Sequence, residues 1–192
     1  MISIVIPVHN RNEYLAESLE SCINQTFEEE YEILVVKSQT NEQVEKTLKA
    51  YEKYIRVITV SETEVGDKWN KGIEAAKYDW IKIHGSDDIL LPDALDCFYF
   101  NCVDKIKFYY TYFHYIDSYG MITECLTHLS LVTSCFHNDL FNKIGKFDSK
   151  QKYEDQDFMQ RISKEDLIQI PEFTSQYRQH TSQSMNTPRY AR

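Results

Sequence analysis

Asp87 and Asp88 are neighbouring carboxylates in the stretch His84-Gly85-Ser86-Asp87-Asp88-Ile89-Leu90-Leu91-Pro92. They directly follow Trp80-Ile81-Lys82-Ile83, whose alternation predicts a strand, while Pro92 suits the first turn of a new helix. The pair is therefore expected at a strand end. In an α/β sheet that edge is where ligands bind, and a carboxylate there can hold a divalent cation that bridges to a phosphate. A solvated turn, with Asp88 favoured by a helix N-terminus, is the plain structural alternative.

Two further groups could do chemistry. In Lys152-Tyr153-Glu154-Asp155-Gln156-Asp157-Phe158 the acids open a helix whose apolar stripe is Phe158 and Ile162. A carboxylate fixed there beside a cleft can act as a general base; complementing the helix dipole is the other reason for acids in that turn. Tyr177-Arg178-Gln179-His180-Thr181-Ser182-Gln183-Ser184 reads as a polar strand or loop, and a His close to an Arg is suited to phosphate contact. A basic tail with Arg189 and Arg192 follows and is expected to fray.

Composition narrows the function. The net charge of −9, from 30 acids against 21 bases, argues against a nucleic-acid surface, which needs clustered Lys and Arg. An anionic ligand then requires local help, such as a metal ion at Asp87. The five cysteines (Cys22, Cys97, Cys102, Cys125, Cys135) have neither zinc-site spacing nor the even count of a disulfide framework, so a reducing compartment fits. The opening Met1-Ile2-Ser3-Ile4-Val5-Ile6-Pro7 has no basic leader, and no stretch approaches membrane-spanning length. These features predict a cytoplasmic chain without a transmembrane segment, to which a membrane-bound substrate is still open. At 192 residues, without linker or repeat, it is read as one domain.

The elements that position these groups alternate. Ile2 to Val8 is a buried-strand run closed near Pro7. Leu15, Leu19, Cys22 and Ile23 then fall at helical spacing, with Asn12 as candidate cap. Tyr31 to Val36 is a second strand; Val44, Leu48, Tyr51 and Ile55 mark a second helix, and Val57, Ile58 and Val60 a third strand. Gly66 to Ala76 reads as a turn and short helix burying Trp69, Ile73 and Ala76. This order predicts a parallel sheet with helices on its faces. The five glycines, at 66, 72, 85, 120 and 145, form neither a Gly-x-Gly-x-x-Gly fingerprint nor a phosphate loop. Dinucleotide binding, phosphate-loop and nucleotidyltransferase readings fall with them. Beyond Pro92 come a helix with Leu95, Phe98 and Tyr99, an aromatic strand from Lys107 to Tyr115 with a turn at Asp117-Ser118-Tyr119-Gly120, an extended piece from Leu126 to Phe136, and a helix over Asn138 to Ile144 stopped by Gly145. The second half is thus expected to add antiparallel strands.

Taken together, the chain resembles the family 2 glycosyltransferases of the GT-A fold, with motifs in that family's order along nearly its whole length. Ile6-Pro7-Val8-His9-Asn10, Tyr14-Leu15 and Ser21-Cys22-Ile23-Asn24-Gln25-Thr26 resemble its first strand and helix, and Glu32-Ile33-Leu34-Val35-Val36 its second strand. Asn70-Lys71-Gly72-Ile73 with Ala76 resembles its Asn-x-Gly-Ile segment. Asp87-Asp88 with Leu91-Pro92 stands at its metal-binding acidic motif. Ile144-Gly145-Lys146-Phe147-Asp148, then Glu154-Asp155 and Arg161, resembles its acceptor-side segment and catalytic acids, and Tyr177-Arg178-Gln179-His180 its closing strand.

The resemblance implies a mixed, mainly parallel GT-A sheet flanked by helices in a single domain over 1–192, with a nucleotide-sugar half at 1–92 and an acceptor half at 93–192. It implies inverting sugar transfer from a nucleoside-diphosphate sugar, with Mn2+ or Mg2+, to a hydroxyl on a carbohydrate, lipid-linked or protein acceptor. Asp155 is then the base and Glu154 its partner. Metal falls to Asp87 and Asp88, with Asp88 orienting. Pro7, Val8, His9, Asn10, Ser38, Lys68, Ser86, Arg178 and His180 are the implied nucleotide-sugar contacts, the last two at the diphosphate. Two departures stand out. Lys37-Ser38-Gln39-Thr40 occupies the place of the family's Asp-Asp-Gly-Ser stretch, and Gly85 the place of a first aspartate. Trp69 also stands where an arginine is frequent, with Lys68 beside it. A catalytically impaired sugar-nucleotide or protein-binding module is the alternative those departures leave.

Overall fold

A computed structural model of the chain describes residues 1–10 and 13–180. The first strand, β1 (Ile2–Val8), divides its side chains between two cores as a period of two requires. Ile2, Ile4, Ile6 and Val8 point into one core and Val5 into the other. It pairs in parallel with β2 (Tyr31–Lys37) on one side and β4 (Trp80–Ile83) on the other, and β2 carries β3 (Arg56–Thr59) outside it. On one face of this sheet lie α1 (Leu15–Ile23), α2 (Glu42–Ala50) and α4 (Ala94–Asn101). On the other lie α3 (Val65–Ala75), α5 (Asn138–Ile144) and α6 (Glu154–Gln160).

The second half adds β5 (Ile89–Leu90), β6 (Phe108–Ile116), β7 (Ile122–Leu126), β8 (Ser134–His137) and β9 (Leu167–Arg178). Among the described residues the order is β3-β2-β1-β4-β8-β6-β9-β5, with β7 on β6. The β4–β8, β8–β6, β6–β7 and β5–β9 pairs are antiparallel, whereas β6 and β9 run parallel. The expected mixed sheet is therefore present.

Several boundaries differ from the sequence reading. A two-residue strand, β5, separates the acidic pair from the next helix, so Pro92 precedes the Asp93 N-cap rather than sitting inside α4. Tyr99 of α4 faces outward. Tyr51 caps α2 and Ile55 lies past its end. Gly66 stands inside α3, and Ala76 is its half-buried C-cap. Leu126 to Phe136 is not one extended piece, because a 3-10 turn at Leu131–Thr133 divides β7 from β8. Tyr14 caps α1; Asn12, like the segment from Thr181 to Arg192, lies outside the described residues.

Three contacts bind the layers near the site. A Cβ at Gly72 would overlap Val5 Cγ1 and come within 2.9 Å of Val36 Cγ2, so only glycine lets α3 lie this close to the sheet. The Asn70 amide accepts from Phe147 N and donates to Phe147 O, each at 2.9 Å. Arg161 donates to Ile144 O and Lys146 O at 2.7 and 2.8 Å. The residues that looked like family signatures at 70–73, 144–148 and 161 are thus the clamps that hold α3, the loop after α5 and α6 together.

Candidate functional site

The acidic loop runs from the end of β4 to β5 and is fixed from three sides. His84 N donates to Val5 O at 3.0 Å, Ser18 Oγ to Gly85 O at 2.8 Å, and Arg178 to the carboxyl end of the loop. Glycine at 85 leaves the room that the Asp88 carboxylate occupies. A Cβ there would overlap the Asp88 carboxylate, so an aspartate at 85 is incompatible with Asp88 as placed.

The two carboxylates part company. Asp88 is buried, and its Oδ1 accepts the backbone N–H of Arg178 at 2.9 Å. Burial, followed by the charge of Asp87, raises its pKa well above the usual carboxylate value. Asp87 instead keeps a side chain 27% exposed, and its Oδ2 lies 2.9 Å from His180 Nε2. Its peptide oxygen accepts from Arg178 Nε at 3.0 Å.

Arg178 is a buried keystone. Beyond Asp87 O, its guanidinium donates to Asp117 O at 3.2 Å and to Glu17 Oε2 at 2.6 Å, and it lies 4.3 Å over the Tyr14 ring. Tyr14 also packs on His180, with ring centres 5.0 Å apart. Tyr14, the N-cap of α1, and Glu17 in its first turn thus meet the end of β9, a contact between residues far apart in the chain that no local sequence pattern encodes.

The expected nucleotide contacts fall along neighbouring strand ends. At the end of β1, Val8 is buried in the core and Pro7 half-buried, while His9 and Asn10 are exposed. Asn10 Oδ1 accepts Asn41 N at 2.8 Å, and Asn41 in turn caps α2 through Val44 N, so the loops after β1 and β2 are joined. Ser38 is buried with no hydrogen-bond partner for its hydroxyl among the described residues. Neighbouring Lys37 is tied to Glu45 at 2.6 Å. Lys68 is buried, donates to Thr63 O at 2.9 Å, and has its pKa lowered by desolvation. Trp69 stacks near Phe147, ring centres 4.9 Å apart, with no partner for its indole N–H among the described residues. Ser86 is half-buried within the acidic loop.

At the start of α6, Glu154 is buried and packs its Cγ against the first turn of α3, where a Cβ at Gly66 would come within 3.0 Å. Asp155 is half-buried, and desolvation raises its pKa. Tyr177 joins the two ends of the site: Asp88, Asp87 and Asp155 all act on its phenol, which burial and then these charges push far above its usual range. Sequence reasoning passed over Tyr177 because the segment was read for its Arg and His. It also passed over His84, a buried imidazole with both nitrogens unpartnered among the described residues, held neutral by burial and Lys82 with a pKa lowered to about 3.

Among the described residues no cluster of three or more His, Cys, Asp or Glu side chains could hold a metal by itself. Asp87 Oδ2 and His180 Nε2 fit part of such a site. Adjacent ligands on a magnesium-sized octahedral ion, with bonds of about 2.1 Å, stand about 3 Å apart, and such ions usually take only one or two carboxylates beside phosphate and water. No described helix is long and apolar enough to cross a membrane.

Residues 3–99 match the sequence profile described as Glycosyl transferase family 2. A poly(ribitol-phosphate) beta-glucosyltransferase of Bacillus spizizenii is 36% identical over 100 residues, which is 49% of this chain and 16% of that protein. Among solved structures, S. aureus TarS 1-349 in complex with UDP-GlcNAc superposes with a TM-score of 0.78 at 18% identity, covering 97% of this chain and 60% of that one. The mannosyltransferase PcManGT from Pyrobaculum calidifontis, in complex with GDP-Man and Mn2+, gives a TM-score of 0.69 at 12% identity over 90% of this chain and 55% of that one. The fold is that of these transferases, and the chain spans only part of each relative's length.

Proposed function

The chain belongs to glycosyl transferase family 2, and we propose on that footing that it moves a sugar from a nucleoside-diphosphate sugar to an acceptor hydroxyl, with inversion and with the aid of Mn2+ or Mg2+. The observation that carries the reading is the pairing of an open carboxylate, Asp87, with His180 at the strand ends, while Asp155 acts on the same tyrosine from the start of α6.

In this mechanism Asp87 and His180 would hold the divalent metal, whose contribution when bound would be charge neutralisation at the diphosphate leaving group. Asp88, buried and bonded to Arg178 N through Oδ1, would serve by fixing the loop that presents Asp87. His9, Asn10, Ser38, Lys68 and Ser86 line the nucleotide side, with Pro7 and Val8 setting the β1 end. Arg178 serves the diphosphate through the loop it braces. Asp155 accepts the acceptor's proton, and its raised pKa makes it a stronger base than a solvated aspartate. Glu154 anchors that turn against α3.

The relatives' donors, UDP-GlcNAc and GDP-Man, set the first screen: donor binding and hydrolysis with and without Mn2+ or Mg2+. Metal-dependent binding with turnover supports the transferase. Binding without any turnover favours the impaired sugar-nucleotide module, a reading that Gly85 and the Lys37-Ser38 replacement motivate. No binding to any nucleotide sugar defeats both.

A further inference from the structure

We propose that Tyr177 is a donor-sugar contact, its phenol O–H donating to a hydroxyl of the transferred sugar between the metal side and the base side of the cleft. The assignment rests on the transferase reading above. Three features lead to it. Tyr177 directly precedes Arg178, whose N–H holds Asp88, so the backbone of β9 places it against the acidic loop. Its ring is gripped edge-on by Tyr115 at 5.6 Å and touches Phe113 at 6.3 Å, which fixes its direction. Three carboxylates, Asp88, Asp87 and Asp155, lie within electrostatic reach of its half-buried phenol.

A phenol so surrounded stays neutral and offers a proton, and a sugar hydroxyl can accept it. The bond would fall between the two groups that define the reaction, the diphosphate at Asp87 and the attacking hydroxyl at Asp155. Tyr177 would therefore read the sugar and not the nucleotide.

Calorimetry with Mn2+ on wild type and Tyr177→Phe tests this, using UDP against UDP-GlcNAc and GDP against GDP-mannose. The variant keeps the ring and its packing. Nucleoside diphosphate affinity should stay within about twofold, while affinity for the sugar nucleotide that wild type prefers should fall roughly three- to tenfold, the range of one net hydrogen bond. Tyr115→Phe, which also keeps its ring, should leave both unchanged. Equal losses for the diphosphate and the sugar nucleotide, or no loss for either, would overturn the assignment. Wild type that binds no nucleotide sugar at all would overturn the transferase reading itself, and Tyr177's role with it.

Discussion

The Asp87 carboxylate lies 2.9 Å from His180 Nε2, whereas Asp88, one residue on, turns inward to the backbone N–H of Arg178. The end of β9 at Arg178 and His180 just beyond it thereby sort two adjacent acids into different tasks. One is left partly exposed beside His180, and the other is spent on holding the loop in place.

The first consequence concerns metal. Asp87→Asn removes the open anion but keeps its shape, and a partly exposed loop residue carries little packing energy. Metal-dependent nucleotide affinity should fall at least tenfold with the melting temperature nearly unchanged, and His180→Ala should follow the same pattern. Calorimetry at fixed nucleotide with titrated Mn2+ checks both; affinity and metal dependence retained in Asp87→Asn would remove it from the metal site.

Asp88→Asn should behave differently. Its burial and its bond to Arg178 N make it structural. A neutral amide can still accept that bond through its oxygen, but its NH2 group needs new acceptors in a buried site, at a cost of about 1–3 kcal/mol. A drop of several degrees in melting temperature is expected, and an unchanged melt would contradict the bracing role.

Much of this arrangement was legible in the sequence. The β1 and β2 runs are continuous and apolar because both faces are covered, and α5 ends at Gly145, whose φ of 86° suits glycine. The acidic pair and Glu154-Asp155 were visible as motifs. What escaped was either too short or too distant. A two-residue strand has no periodicity to detect, and β9 is interrupted at Pro171 and Glu172, where its register against β6 shifts between Ile170 and Phe173. The contacts of Arg178 with Glu17, Asp87 and Asp117 join residues far apart in the chain, and no local pattern encodes them.

Gly85 tests the fit of the acidic loop. Restoring the family's usual acid, Gly85→Asp, places a Cβ on the Asp88 carboxylate and adds a third charge beside the pair. Overpacking of this kind costs about 1–3 kcal/mol, so the variant should melt lower and bind nucleotide more weakly. A gain in metal-dependent affinity would show that the loop can rearrange to accept the acid.

Lys82 gives a prediction for stability against pH. Its side chain is fully buried in β4, with Nζ donating to Ile83 O and Val132 O, and desolvation lowers its pKa from 10.5 to about 8. Below pH 8 the ammonium is protonated in both folded and unfolded chains, so the burial penalty is fully present. Between about pH 8 and 10.5 the unfolded chain binds the proton and the folded chain does not, so this group makes stability rise with pH. The scale is ~3 kcal/mol, at 1.36 kcal/mol per pKa unit. Buried Cys22 works in the opposite direction: its thiol is pushed up to about 12, so stability is lost as pH rises above 9. Wild type alone would show only the sum. The difference between wild type and Lys82→Met reports the lysine together with its charge interaction with Cys22 and Cys135, the rest of the thiol titration being common to both chains. Urea unfolding from pH 7 to 10.5 should show wild type gaining on Lys82→Met through that window, and a difference independent of pH would mean that Lys82 is not the buried cation described.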